Sequence, residues 1–365
     1  MNNLVQVKRQ PQNLSTEKTL IFCLLNARSI NNKSLQIKDS VVDRDIDILA
    51  VTETWLKADE CCDYITWDVT STGYTFVHSP RLNGIVGGVG MLYRTNLKVQ
   101  QLMSDSYKSF EFKELLLHSD NCITRIIIVF RPPISVKNGL THAAFFDEFS
   151  MLLEHLASSP GNLLLNGDFN LHVNDLSDST ASQFLDLLNC FNLNIFNLCT
   201  PTHKNNNVLD LIITRSGETS VSNLSVHDPV MSDHFAVYCS LAIKKPSNMK
   251  LTVMTRKLCN IDSDSLCTDI RSSSLYNSPS LDLSELCDQY DSALSSILDK
   301  HAPLRKSVIT IWPRAPWYSE EIKEQKVIFR RLERRWRRSR LTSDYQSYTH
   351  CCKEHYFQIK NGLLF

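Results

Sequence analysis

The chain has 365 residues, 42% of them apolar, and its 39 basic and 39 acidic side chains cancel to zero formal charge. That is enough apolar material to bury a core and enough length for two or three domains, and it excludes both a polybasic binder and an acidic solvated tail. The balance is uneven: residues 300–365 hold 15 Lys/Arg against 6 Asp/Glu, so net +9 at the C-terminal end offsets net −9 over residues 1–299, and a nucleic-acid partner is to be sought first in that end.

The opening run MNNLVQVKRQPQNLSTEK has basic residues without the apolar stretch of about 7–15 residues of a secretory signal. No uncharged apolar run approaches the roughly 20 residues needed to cross a bilayer. The sequence therefore predicts a soluble, intracellular protein with no membrane partner, its twelve cysteines reduced and many of them core residues. From there the chain alternates short apolar runs with amphipathic ones. Leu20–Leu25, Ile46–Val51, Ile85–Tyr93, Leu115–His118, Ile123–Phe130, Asn162–Leu165, Val208–Thr214 and Phe235–Leu241 read as strands, several apolar enough to be buried on both faces. Between them, His142–Leu156 and Ala181–Cys190 repeat apolar residues at helical spacing. Interleaved strands and helices with strands in excess predict an α/β fold: two packed mixed β-sheets flanked by helices, a four-layer sandwich, plus a C-terminal helical extension. The expected divisions are a domain over 18–243, a Ser/Asn-rich linker over 244–298 with one helix at Leu283–Leu298, and a basic, mostly helical connector over 299–365. Its helical part is expected to run from Ser319 to about Asn361.

Polar residues stand at the ends of the apolar strands. Asn26 follows LIFCLL, Glu53 follows ILAVT, Asp168 and Asn170 follow NLLLNG, Asp210 sits in VLDLIIT, and Asp233 and His234 precede FAVYCSL. Strand ends hold the backbone and free the side chain, so residues distant in sequence can converge there. Four carboxylates, two amides and one imidazole form a hard, oxygen-rich donor set suited to Mg²⁺ or Mn²⁺, and the lack of a Cys/His cluster argues against zinc. Taken singly, each residue has a plainer reading, Asn26 and Asn170 as turn formers, Gly167-Asp168 as a turn and Ser232-Asp233-His234 as a strand lead-in.

The order of motifs is more specific. Leu25-Asn26-Ala27-Arg28-Ser29-Ile30, Thr52-Glu53-Thr54-Trp55-Leu56, Gly87-Gly88-Val89-Gly90-Met91, Arg131-Pro132-Pro133, Asn166-Gly167-Asp168-Phe169-Asn170, Thr200-Pro201-Thr202, Leu209-Asp210-Leu211-Ile212 and Ser232-Asp233-His234 resemble, in order, the motifs of the endonuclease/exonuclease/phosphatase superfamily. More narrowly they resemble the apurinic-type endonuclease domain of non-LTR (LINE-type) retrotransposons, over about residues 18–243. The resemblance implies a Mg²⁺-dependent, DNA-nicking phosphodiesterase. It implies that Asn26 and Glu53 hold the metal with Asp233 near a second position, that Asp168 orients or deprotonates water with help from Asn170, and that His234, held by Asp210, contacts the scissile phosphate. DNA is the implied partner, with Arg28 and Arg131 close to it, no small-molecule cofactor, and access to the nucleus if the target is chromosomal.

Two positions depart from the family pattern. Phe130 stands where the family has a tyrosine whose hydroxyl reaches the phosphate or leaving group; losing a hydrogen bond to a charged group, worth roughly 1.5–3 kcal/mol, predicts a slowed enzyme. Arg28 stands where many apurinic endonucleases carry an acidic residue, which points to the retrotransposon branch. The remaining histidines, among them His142 and His203, have no metal-like spacing and read as surface or satisfied residues, and the 87–90 glycines read as close packing in a strand. At the C-terminal end, Arg330, Arg331, Arg334 and Arg335 surround a helix with an apolar stripe of Ile328, Leu332 and Trp336. The arginines could meet phosphates and Trp336 could stack on bases, or the whole could be a solvated amphipathic face. This end resembles the region before the reverse transcriptase in the same elements, so the chain reads as an endonuclease-plus-connector fragment. The alternatives left open are a weakened or inactive relic that binds nucleic acid through its basic tail, and a phosphatase or RNA nuclease on the same fold.

Overall fold

The computed structural model describes residues 19–57, 63–80, 86–102, 106–120, 122–136, 138–175, 177–246, 250–310 and 320–362. The first elements are β1 (Thr19–Asn26), α1 (Ser34–Asp43), β2 (Ile48–Thr52), α2 (Asp63–Val69), β3 (Tyr74–Ser79) and β4 (Val89–Arg94). They are followed by β5 (Lys98–Gln101), β6 (Glu111–His118), β7 (Ile123–Phe130), α3 (His142–Ala157), β8 (Asn162–Asp168), α4 (Ser179–Cys190), β9 (Leu193–Ile195) and β10 (Asp210–Arg215). Two further strands, β11 (Val221–His227) and β12 (Ala236–Lys244), return to the first group. The result is two six-stranded mixed sheets, ordered β11-β12-β1-β2-β4-β3 and β5-β6-β7-β8-β10-β9. Each has one parallel pair near its centre, β1 with β2 and β7 with β8.

Three apolar layers account for the four-layer arrangement. Alternate residues Leu20, Phe22 and Leu24 of β1 and Ile126, Ile128 and Phe130 of β7 meet between the sheets. Their neighbours Cys23 and Leu25 face α1 and α2, while Ile127 and Val129 face the phenylalanines of α3 and α4. Strands buried on both faces read as unbroken apolar runs, which is why these were visible in the sequence. Each fully buried Leu, Ile or Phe contributes about 1.5–3 kcal/mol, so the inter-sheet layer fixes how the sheets face each other. Thr141 and Asp178 start α3 and α4 by accepting from the amides of Ala144 and Thr180, at 3.1 and 2.8 Å.

The eight expected strands are the eight interior ones. The four absent from the sequence reading, β3, β5, β9 and β11, are the four sheet edges, where one side faces solvent and the apolar pattern is diluted.

The described residues of 1–247 and 313–365 form one compact unit, and those of 248–312 a second. The second unit holds β13 (Lys250–Thr255) antiparallel to β14 (Arg305–Thr310), with α5 (Ser263–Ser272), α6 (Ser274–Asn277) and α7 (Leu283–His301). Only α7 was expected. Asp262 and Asp282 cap α5 and α7 by accepting from Asp264 and Ser284 amides, so acidic residues in a polar run are helix starts there. Asp269 of α5 pairs with Lys300 and His301 of α7 at 2.7 and 2.6 Å.

The C-terminal basic segment is two helices, α8 (Glu320–Ser339) and α9 (Thr342–Gly362). They fill the helical segment expected from Ser319 to about Asn361, broken once near Arg340. Arg340 turns left-handed (φ 55°), its amide donates to Trp336 O at 2.7 Å, and Ser339 Oγ donates to Asp344 at 2.5 Å, ending one helix and opening the next. The apolar stripe also differs. Ile328 is 53% exposed, and Ile322 and Phe329 pack instead with Tyr348, Cys352 and Tyr356 of α9 and with Leu35 of α1. Around this contact Lys326 pairs with Asp39 at 2.8 Å and Arg44 with Glu333 at 2.9 Å, while three cations hold the Glu333 carboxyl down near 2 against its burial. Among the described residues, no helix is long and apolar enough to cross a membrane.

Burial, reinforced by Arg337 and Arg44, holds the His227 imidazole of β11 down at about 4. The unfolded chain, with histidine near 6.5, binds the proton more readily, so this contribution is complete above about pH 6.5 and is lost as pH falls toward 4. Unfolding free energies from urea titrations at pH 7 and pH 5 should differ by about 2 kcal/mol more in the parent protein than in His227→Gln; equal differences would mean that His227 is not held neutral by the fold.

Candidate active site

The strand period of two places the site. On the inter-sheet face β1 runs Leu20, Phe22, Leu24 and then Asn26, β8 runs Leu164, Asn166 and then Asp168, and β10 begins with Asp210 two residues before Ile212. Asp210 and Asp168 are direct partners in the β8–β10 register. Apolar side chains therefore fill the space between the sheets until, at one end, polar ones take over. Gly167 makes the close approach of β7 and β8 feasible: at φ 142° a Cβ there would lie 1.8 Å from Val129 O, so only glycine fits.

The loops beyond these strands are tied together. Ala27, Ser29 and Ile30 amides donate to Thr52, Glu53 and Thr54 carbonyls at 2.8–3.1 Å, and Thr54 and Trp55 amides donate to Gly88 and Gly87 carbonyls. The glycine pair thus supports the loop that carries Glu53, and a Cβ at Gly88 would lie 2.4 Å from Thr54 Oγ1. Arg28, Ser29, Glu53, Trp55 and Asn170 all have positive φ. Left-handed backbone in residues other than glycine costs of order 1–3 kcal/mol each and persists only where the surroundings enforce it.

Asn26 Nδ2 donates to Glu53 Oε1 at 2.9 Å and to Asp168 Oδ2 at 2.7 Å, bridging the two sheets. Its Oδ1 accepts from the Arg28 amide at 3.0 Å, so its amide nitrogen, as assigned by this network, faces the carboxylates. Trp55 Nε1 fixes the other Glu53 oxygen at 3.0 Å. Asn170 donates to Asp168 through its backbone at 3.0 Å and its side chain at 3.2 Å, the latter also reaching Arg131 O. His234 Nδ1 meets Asp210 Oδ2 at 2.8 Å, and Asp168, Asp210 and His234 offer ligand atoms within 4.8 Å of one another. Asn26, Glu53, Asp168, Asn170, Asp210 and His234 thus meet at one place. Asp233 lies beside them, its Oδ2 taken by Arg28 at 2.5 Å and near His203 Nε2 at 3.4 Å.

The cluster is negatively strained. Burial, then the neighbouring Asp210, push the Asp168 carboxyl up to about 8. For His234 burial works against the charged ring, but Asp210, Asp168 and Asp233 outweigh it and raise it to about 9, so the ring is an imidazolium at neutral pH. Asp210 Oδ1 and Asp233 Oδ1 are buried without a hydrogen-bond donor. Hard oxygens with spare lone pairs and excess negative charge fit a divalent cation.

Three expected nucleic-acid contacts are corrected. Arg131 is 2% exposed; its guanidinium donates to Phe169 O and Asn170 O at 3.1 Å and lies over the Phe145 ring, so it pins the Asp168–Asn170 turn from inside. Arg330 pairs with Asp43 of α1 and with Glu333, docking α8 on the domain, and Trp336 stacks on Tyr348 of α9 at 5.6 Å between ring centroids, packing α8 against α9. Arg28, Arg331, Arg334 and Arg335 are exposed. Phe130, in register with Asp168, is buried in the inter-sheet layer.

Thr202 and Ser232 stand in motifs of the sequence but were given no role from it. The buried Thr202 Oγ1 accepts from both Leu209 and Asp210 amides at 3.0 Å, and Ser232 Oγ donates to Asn26 O at 2.9 Å while accepting from the His234 amide at 3.0 Å. His203, expected to be an ordinary surface histidine, stands edge-on to His234 at 4.9 Å. Its place directly after Thr200-Pro201-Thr202 was the available clue. From α9, Tyr345 Oη and Tyr348 Oη donate to the Asp228 side chain and carbonyl, anchoring the segment that leads to Asp233 and His234.

Thr202→Val would leave two buried amides without an acceptor, a loss of about 2 kcal/mol or more in urea unfolding, whereas Thr202→Ser should keep most of it. A Val variant as stable as the parent would remove Thr202 from the support of Asp210.

Residues 124–238 match the family described as endonuclease-reverse transcriptase. Similar solved structures include the endonuclease domain of TRAS1, a telomere-specific non-LTR retrotransposon, at 14% identity and TM-score 0.47, covering 62% of this chain and 100% of that one. They also include an AP endonuclease from Leishmania major at 14% and 0.49, covering 66% and 92%. A third is a 3'-5' exonuclease from Neisseria meningitidis at 17% and 0.48, covering 61% and 99%. Comparison with curated protein sequences finds no match.

Proposed function

We propose that the domain is a divalent-cation-dependent phosphodiesterase of the endonuclease/exonuclease/phosphatase type that nicks duplex DNA, of the retrotransposon branch, reaching chromosomal DNA in the nucleus; the match of residues 124–238 to the endonuclease-reverse transcriptase family supports this reading. The observation that carries this reading is the meeting of Asn26, Glu53, Asp168, Asp210 and His234 at one end of the inter-sheet space.

Glu53 would hold Mg²⁺ or Mn²⁺, its carboxylate positioned by the hydrogen bond from Asn26 Nδ2, with Asp233 beside a second position. Such a cation would neutralise charge building on the phosphate oxygens and on the leaving oxygen. Asp168 takes the proton from the attacking water as the new P–O bond forms and the bond to the leaving oxygen breaks. Its two hydrogen bonds from Asn170 keep one carboxylate edge aimed at that water. The His234 imidazolium donates through Nε2 to a phosphate oxygen, its other nitrogen fixed by Asp210.

Relaxation of supercoiled plasmid to the nicked form, with Mg²⁺ and with EDTA, tests the reading on the full chain. Activity should require the metal and fall about a hundredfold or more in Glu53→Ala and in Asp168→Asn. Unchanged nicking in Glu53→Ala would end the assignment.

Phe130 favours a second reading, a slowed enzyme or a non-cleaving relic that binds nucleic acid through its tail. Phe130→Tyr raising the nicking rate about tenfold supports a slowed enzyme; metal-independent binding with no turnover in either form supports the relic.

A further inference from the structure

The arginines of α8 divide into two sets. Arg330 and Arg337 turn inward, paired with Asp43 and Glu333, on the stripe that includes Ile322, Lys326 and Phe329. Arg331, Arg334, Arg335 and Arg338 lie at intervals of three and four, one face of a helix, and all four are exposed. They line a groove of about 710 Å³ whose walls include Ile328 and Leu332. The single acid on that groove is Asp344, which pairs with Arg335 at 2.8 Å. Arg331 and Arg338 have no acidic partner among the described residues, and Arg334 donates only to the Arg330 carbonyl.

Like charges three and four residues apart destabilise a helix by about 0.2–0.5 kcal/mol per pair, and of these four only Arg335 is paired, with Asp344 of α9. A polyanion relieves that repulsion. From Arg331 to Arg338 the helix rises about 10 Å, the length of roughly three phosphates of one strand. The helix that carries Asp344 is tied to the segment leading to the site: Tyr345, next to Asp344, donates its hydroxyl to Asp228, which precedes Asp233 and His234 in the chain.

We propose that Arg331, Arg334, Arg335 and Arg338 form a docking surface for the phosphate backbone of duplex DNA. It reads charge spacing rather than bases, since the two aromatic rings of this helix, Phe329 and Trp336, both pack inward. This rests on the nuclease reading for its substrate, but binding can be measured without cleavage.

The test is fluorescence anisotropy of the full chain with a labelled duplex of about 25 base pairs in EDTA, over a salt series. The variants are the fourfold Arg→Gln at 331, 334, 335 and 338 and the fourfold Arg→Lys. The Gln variant should bind at least about tenfold more weakly, with the slope of log K against log salt shallower by about 3; the Lys variant should keep most of both. Equal affinity and slope in parent and Gln variant overturn the proposal. So does Arg-dependent binding to anionic phospholipid vesicles with none to the duplex. Plasmid nicking on the same proteins separates the two readings: a parent that binds through these arginines but never nicks loses the nuclease assignment alone, and one that nicks while the Gln variant binds unchanged loses only the groove.

Discussion

One amide nitrogen joins the two sheets where their apolar layer ends. Asn26 Nδ2 holds Glu53 from its own sheet and Asp168 from the other, and nearly every feature of the site follows from keeping those carboxylates there. Isolated carboxylates taken out of water are costly by several kcal/mol, and donors, opposite charge or protonation must offset that cost. Asn26 and Trp55 serve Glu53, Asn26 and Asn170 serve Asp168, and His234 serves Asp210. The remaining imbalance is visible as the upward displacement of Asp168 and as oxygens of Asp210 and Asp233 that meet no donor. A site with spare oxygen lone pairs and too little positive charge is poised for a cation, whereas the same cluster fully satisfied by hydrogen bonds would have been a structural network.

The loops explain how such a cluster stays in place. Glu53 stands on left-handed backbone that no preference of its own supports, yet carbonyls of Gly87 and Gly88 and amides of the Asn26 loop grip it from both sides. The close approach needs residues without a Cβ at 88 and at 167. The glycines of two sequence motifs are thus the counterpart of the acidic residues: they let the backbones approach closely enough for the side chains to converge.

This also sets what was legible in the sequence. Interior strands, buried on both faces, announced themselves, and with them came the strand-end residues Asn26, Asp168 and Asp210, because a period of two needs no tertiary information. The edge strands β3, β5, β9 and β11 did not, since half of each faces water. Arg131 and Trp336 were misread for a related reason: an arginine beside a motif, or a tryptophan in a basic helix, has the same sequence signature whether it faces a ligand or the interior. The guanidinium of Arg131 is consumed by two backbone carbonyls, and the Trp336 ring by Tyr348. Thr202, Ser232 and His203 act through contacts with residues made adjacent only by folding, so the motifs that contain or precede them did not disclose what they do.

The C-terminal hairpin extends the same reasoning beyond the sandwich. Val230 has φ 59°, a conformation that a β-branched residue takes only under constraint. Its amide is held by Asp228 at 2.7 Å, its side chain packs against the α8–α9 cluster, and Asp228 is in turn held by Tyr345 and Tyr348. The strained segment is therefore fixed on one side by α9, and it continues to Ser232, which ties the Asn26 carbonyl to the His234 backbone. A continuous chain of contacts runs from the tail to the imidazole. Removing the tail would take away packing from α1 and the anchor of the segment that sets His234 opposite Asp210, so the hairpin is part of the support of the site even though none of its side chains enters the cluster.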